Sequence, residues 1–180
     1  MKKVSAERFH RLFYPQVAVV VTARHGDEVG GLLASSVMPT SFNPPMVAVA
    51  LGKTHNTTRL VQSSNAFAVN WLSYEKVSKM EMLAQPTPPG VKDKLLMAGL
   101  SYRGGGKTNA PILSDASAFL ECRVVSGREV GDHILYIGEV VDAEAVEDFE
   151  DYWRFRVYRP VLYVGSARPD WPKFVRFPLE

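Results

Sequence analysis

Apolar positions in this chain fall in short runs, alternating or unbroken, and each run stops at Gly, Pro, Asn or Asp. Residues 17–22 (VAVVVT) read as a buried strand, His25-Gly26-Asp27-Glu28 as a turn, and residues 29–36 as the partner strand. Pro39, Pro44 and Pro45 fix a hairpin-like loop, because proline locks φ and removes amide donors. Residues 46–51 (MVAVAL) and 67–72 (FAVNWL) are further strands. In residues 118–126 the alternation puts Leu120, Cys122 and Val124 on one face and Glu121 and Arg123 on the other. A turn over residues 127–132 leads to a long strand, 133–143, and residues 161–164 form the last strand. The expected core is Val19, Val21, Val47, Val49, Val69, Leu120, Val124 and Ile137.

Helical spacing is rarer. Ser5 is placed to cap a short helix with Glu7 in its first turn and Phe9, Leu12 and Phe13 on its buried face, ended by Tyr14-Pro15. Residues 57–63 make one or two turns with Leu60 and Val61 inward. Ser73 caps a helix over 74–84 with Val77, Met80 and Leu83 spaced three apart and Glu75 and Lys79 paired outside. QPTPPG (85–90) cannot continue it, and an excursion to residue 116 carries a short helix near 92–97. The acidic run 144–151 reads as a solvated connection, and the tail from residue 167 shows no period. Short antiparallel strands with a few short helices predict a mainly β protein, a Greek-key barrel.

Composition narrows this little. The 180 residues suit a single domain, 1–180, with its own core. A net charge of +2 argues for neither nucleic acid nor a membrane surface. The longest apolar runs fall far short of the roughly 20 residues of a membrane span. MKKVSAERFH lacks a signal-peptide core, and the lone Cys122 points to a reducing compartment, so a cytoplasmic protein is expected.

The candidate chemistry concentrates between Gly30 and Thr58. Ala34, Ser35 and Ser36 are small enough to let a flat ligand approach the backbone. Lys53, His55, Asn56, Thr57 and Thr58 combine a cation, an imidazole, hydroxyls and a capping Asn at a helix start, where free N–H groups and the helix dipole suit a phosphate. Taken alone, composition favours a packed strand end for the first stretch and a polar turn for the second. Gly104-Gly105-Gly106-Lys107-Thr108 ends like a P-loop, but Ser101 stands where that motif needs its first Gly, so a flexible turn is expected. The histidines and cysteine lack metal-ligand spacing, and Cys122 reads as an inert core thiol.

Residues 34–51 (ASSVMPTSFNPPMVAVAL) and THNTTRLV after them resemble the flavin reductase-like, FMN-binding split-barrel family. FAVN at 67, ECRV at 121, GDH at 131, IGEVVDA at 137 and RPVLYVG at 159 continue the resemblance in the family's order. Met38-Pro39 is similar to the ferric-reductase and flavoredoxin branch. The resemblance implies a split barrel carrying FMN, with Ala34, Ser35, Ser36, Val37 and Met38 along the flavin and Lys53, His55, Asn56, Thr57 and Thr58 at its phosphate. It places His133 by the flavin face, orienting nicotinamide or substrate, where the residue alone reads as a surface histidine. It implies reduction by NADH or NADPH and onward transfer to free flavin, ferric complexes or a partner protein. The alternative is a non-enzymatic FMN electron carrier of flavoredoxin type, and a third reading is a flavin-free interaction module. A homodimer is implied, with Trp71 and the tail aromatics Trp171, Phe174 and Phe177 as weak support.

Overall fold

The computed structural model describes residues 1–166 and 171–177. A 3₁₀ helix (Ala6–Phe13) leads into β1 (Gln16–Val17), β2 (Val19–His25), β3 (Glu28–Ala34), β4 (Val37–Phe42) and β5 (Pro45–Gly52). Helix α1 (Asn56–Ser64), β6 (Ala66–Leu72), a 3₁₀ turn (Tyr74–Lys76), α2 (Val77–Ala84) and α3 (Lys94–Met97) follow. The chain then forms β7 (Tyr102–Gly104), β8 (Pro111–Leu113), β9 (Ala116–Val130), β10 (His133–Ala145), β11 (Val161–Tyr163) and β12 (Phe174–Arg176).

Seven strands make one antiparallel sheet in the order β3-β2-β6-β9-β10-β5-β4. Its edge strands β3 and β4 are joined by Ser35 and Ser36 alone. Three Cα steps reach at most roughly 11 Å, whereas the edges of a flat seven-stranded sheet would lie roughly 29 Å apart. The sheet therefore curls into a barrel split between β3 and β4, with Ser35 and Ser36 at the seam. The strand at 37–42 replaces the expected loop. It is an edge strand, where Pro39 has no ladder bond to forfeit on its open side.

Val19, Val21, Val47, Val49, Val69 and Cys122 fill the barrel with Leu51, Phe67 and Tyr136, and Leu120 and Val124 pack against them. Ile137 does not join this core. In β10 the inward parity belongs to Ile134, Tyr136 and Val140, so Ile137 and Leu135 face outward. Burial pushes the Cys122 thiol up to about 12, which keeps it protonated.

A second core lies outside the barrel wall. Ala18, Val20 and Val29 meet Met80 and Leu83 of α2, Leu95 of α3, Val161 of the expected strand β11, and Phe174 of β12, which was not expected. Leu60 and Val61 of α1 point inward as expected. Ser73 caps nothing and instead accepts a hydrogen bond from the Arg159 N–H, 3.0 Å. Lys79 donates to the Gly99 carbonyl, 2.5 Å, rather than pairing with Glu75. The buried Lys94 amine closes the end of α2 by donating to the Leu83 and Gln85 carbonyls at 2.8 and 2.5 Å.

The excursion ends in the β7–β8 hairpin, which sits on the outer face of β9. Its Gly-rich loop is a clasp rather than a flexible turn. The wholly buried Glu121 carboxylate accepts the N–H groups of Lys107 and Thr108 and, at 2.7 Å, the Thr108 hydroxyl. The 3₁₀ helix departs most from expectation: none of its residues is buried, Phe9, Leu12 and Phe13 included, and Ser5 makes no side-chain cap.

A groove of small residues leading to a cationic helix start

Strand β5 builds the site. Val47, Val49 and Leu51 point into the barrel, so Ala48, Ala50 and Gly52 share the outer face. On β10, Ala48 opposes Ile137, Ala50 opposes Leu135, and Gly52 opposes His133. The result is a strip with almost no side-chain height, roughly 13 Å from residue 48 to residue 52. At one end it floors a groove of about 390 Å³ lined by Ser35, Ser36, Val37, Met38, Ala48, Ala50 and Leu135, with Phe9, His10, Phe13 and Tyr14 opposite. That volume lies in the range of small-molecule sites. The Ser36 carbonyl accepts the Ala50 N–H at 3.0 Å, which ties the barrel seam to the strip.

At the other end the strip runs into Lys53 and the start of α1. The Lys53 N–H donates to the Asp132 carbonyl, 3.0 Å, and its ammonium pairs with Glu129 at 2.7 Å. His55 occupies the N-cap position, and no side chain caps α1. The His55 ring lies so close over Gly52 that a Cβ there would come within 2.9 Å of it. Burial, followed by the positive charges of Lys94 and His133, holds its imidazole below the usual histidine range. His133, at the rim, donates from Nδ1 to Asp132 Oδ1 at 2.6 Å, which leaves Nε2 for other partners.

Of the residues expected along a ligand, Ser35, Ser36, Val37 and Met38 line the groove, while Ala34 turns its side chain into the barrel core. Lys53, His55 and His133 come together at the far end. Asn56 is no cap, since its carbonyl oxygen accepts from Arg59 at 2.8 Å. Thr57 and Thr58 are buried, and the Thr58 hydroxyl donates to the Gly52 carbonyl at 2.8 Å. The Thr58 N–H is also taken, by the His55 carbonyl at 3.1 Å, so of these two residues only Thr57 offers a ligand a backbone N–H. Sequence reading overlooked Ala48, Ala50 and Leu135, although the alternation through MVAVAL already marked the outward alanines. Nothing in the sequence pointed to Glu129 or to the N-terminal aromatics. Trp71 does not line the groove; it lies between two apolar clefts of about 430 and 480 Å³, the first of which shares Val37 and Met38 with the groove. Among the tail aromatics Phe174 is core, whereas Trp171 is exposed and Phe177 partly so.

Residues 9–171 match the flavin reductase like domain. The chain belongs to the flavin reductase-like family. It is 37% identical to an uncharacterized protein of Aeropyrum pernix over 97% of this chain, which spans 66% of that relative's length. It is 31% identical to a ferric-chelate reductase (NAD(P)H) of Archaeoglobus fulgidus, over 82% of this chain and 85% of that one. The crystal structure of flavoredoxin from Methanosarcina acetivorans shares the fold, with a TM-score of 0.81 at 21% identity, covering 98% of this chain and 90% of the other. The split barrel is thus the family fold, and the family's work is flavin-linked redox chemistry or electron carriage. No helix among the described residues is long and apolar enough to cross a membrane.

The site suits a flavin nucleotide on physical grounds. A planar ring needs a floor without side-chain relief, which Ala48, Ala50 and Gly52 supply. A phosphate needs donors and positive charge, which Lys53 and the uncapped α1 start supply.

Proposed function

We propose that this chain binds FMN and acts as an NAD(P)H-dependent oxidoreductase, passing electrons on to free flavin, a ferric complex or a protein partner. The observation that carries the reading is the strip of small residues running from the groove to Lys53 and His55. Ser35, Ser36 and the backbone of Val37 and Met38 flank the ring and ribityl chain. Lys53, His55 and the N–H groups of Asn56 and Thr57 at the start of α1 hold the phosphate, the Thr58 N–H being taken by the His55 carbonyl at 3.1 Å. When bound, the flavin supplies hydride acceptance and electron release, so the protein's part is binding and orientation. His133, steadied by Asp132, holds nicotinamide or substrate over the open face through hydrogen bonding. A homodimer accords with the exposed apolar clefts around Trp71.

Anaerobic addition of NADH or NADPH to the FMN-loaded protein tests the reading, and bleaching of the yellow colour is expected. His133→Ala should slow that bleaching by the worth of one hydrogen bond, about 0.5–1.5 kcal/mol, with FMN affinity unchanged. Protein that binds FMN, resists both nicotinamides and accepts electrons from a protein reductant is a carrier instead. Protein that binds no flavin refutes both readings.

A further inference from the structure

We propose that the N-terminal 3₁₀ helix is the second wall of the ring site, with Phe9 and Phe13 packing on a flavin ring that rests on Ala48 and Ala50. The inference rests on the flavin reading above and deepens it, because neither aromatic belongs to the stretch from which that reading came.

The first observation is selective exposure. Phe9 is 59% exposed, Phe13 64% and Leu12 70%, and no residue of this helix is buried. A helix that leaves all its large apolar groups out of the core gains little from packing on its own chain. Yet the exposed groups are not equivalent. Phe9 and Phe13 line the groove that contains Ser35, Ser36, Ala48 and Ala50, whereas Leu12 does not. The aromatic members of the face are the ones turned to the strip.

The second observation is that the wall is held in place at its end. Tyr14 also lines the groove, and its ring meets Tyr163 edge-on at 4.9 Å between centroids. Gly165 has a positive φ of 88°, and a Cβ there would come within 2.8 Å of the Tyr14 ring. The backbone at Gly165 therefore makes room for Tyr14, and the helix is tethered across the groove from the strip.

The third observation is chemical. Phe9 and Phe13 meet edge-on at 6.4 Å, and His10 meets Phe9 and Tyr14 at 6.0 Å each. This ladder of rings has the spacing at which a further planar π-system joins favourably. Of the flavin's parts only the isoalloxazine ring matches it, since the phosphate belongs at Lys53.

Flavin fluorescence titrations with FMN, riboflavin and lumiflavin test the proposal, lumiflavin being the ring without its ribityl chain. Phe9→Ser and Phe13→Ser should each weaken all three flavins by a similar factor, about tenfold. Phe13→Tyr should restore affinity, and Leu12→Ser should leave it unchanged. Circular dichroism checks that each variant is folded. Unchanged lumiflavin affinity in both Phe variants overturns the proposal. So does a Leu12→Ser variant that loses as much affinity and also falls apart in sedimentation, which would make the helix face a contact with a second copy of this chain. Wild-type protein that binds none of the three flavins refutes the functional reading itself, a result separable from either.

Discussion

The tripeptide Gly-Lys-Thr occurs twice, at 52–54 and at 106–108, and the two copies do opposite things. Both lie in glycine- and threonine-rich loops whose backbone N–H groups would suit an anion. At 106–108 the chain supplies the anion itself: Glu121 enters from β9 and takes the N–H groups of Lys107 and Thr108. At 52–54 the loop opens onto a helix start that no side chain caps, with Lys53 at the surface and His55 folded over Gly52. Strand β9 delivers a carboxylate to each loop, but Glu121 takes backbone N–H groups and closes its loop into a clasp, whereas Glu129 meets only the Lys53 ammonium and leaves the helix start open.

The largest effect should come from emptying the clasp. Glu121→Ala removes the acceptor of two N–H groups and a hydroxyl, and should destabilise the fold by about 3 kcal/mol. Glu121→Gln keeps one acceptor oxygen and should lose about half as much. Urea unfolding measures both. A Glu121→Ala protein as stable as wild type would erase the distinction between the two loops.

The glycines sharpen the contrast. A Cβ on Gly105 would lie 2.3 Å from Glu121 Oε1, and that carboxylate is pinned by its own hydrogen bonds. Gly105→Ala should therefore lower stability by about 2 kcal/mol. A Cβ on Gly52 meets the edge of the His55 ring, which can swing away. Gly52→Ala should change stability by less than about 1 kcal/mol yet weaken FMN, because it displaces His55 and raises the floor of the strip. Thermal melts with and without FMN separate the two outcomes.

This contrast also shows how far the sequence could be read. The barrel strands were legible because burial writes itself as apolar runs, and the inward parity of Leu120, Cys122 and Val124 followed from alternation. Ile137 was misassigned because HILYIGEVV is apolar on both parities: its outward residues border the strip instead of solvent. Phe9, Leu12 and Phe13 have helical spacing, but spacing defines a face and not what covers it. β9 and β10 continue as paired ribbon to Val130 and from His133 although Arg128, Glu129 and Val130 are exposed, since pairing does not require burial. The proposed ligand end was legible as cation, imidazole and helix start. The carboxylate that fills the other Gly-Lys-Thr loop was not, because nothing local links Thr108 to a residue 13 positions on.

The lysines give the next test. Lys53 makes a surface ion pair with Glu129, worth at most about 1 kcal/mol, so Lys53→Ala should hardly change stability. It should weaken FMN by roughly 1.5–3 kcal/mol, about tenfold to a hundredfold, while riboflavin, without a phosphate, is spared. Lys107→Ala should leave both affinities unchanged, since its loop takes part through backbone N–H groups. Equal losses for FMN and riboflavin in Lys53→Ala would remove the phosphate from this loop.

The smallest effect is a pH dependence confined to the open loop. Burial, then the charges of Lys94 and His133, lower the His55 pKa from its ordinary value of 6.5. The folded chain therefore holds His55 neutral at a pH where the unfolded chain has begun to protonate it. As pH falls below 6.5 the unfolded state binds the extra proton, so stability declines until the folded-state pKa is passed. Above pH 6.5 both states are neutral at this site and its contribution is complete. His55→Gln should flatten this part of the profile, read as the difference in urea midpoint between pH 8 and pH 5. Gly105→Ala should shift the whole profile down without changing this slope, because His55 lies in the other loop. Identical slopes in wild type and His55→Gln would mean that the ring is as well solvated as in the unfolded chain, and that the open loop does not hold it over Gly52.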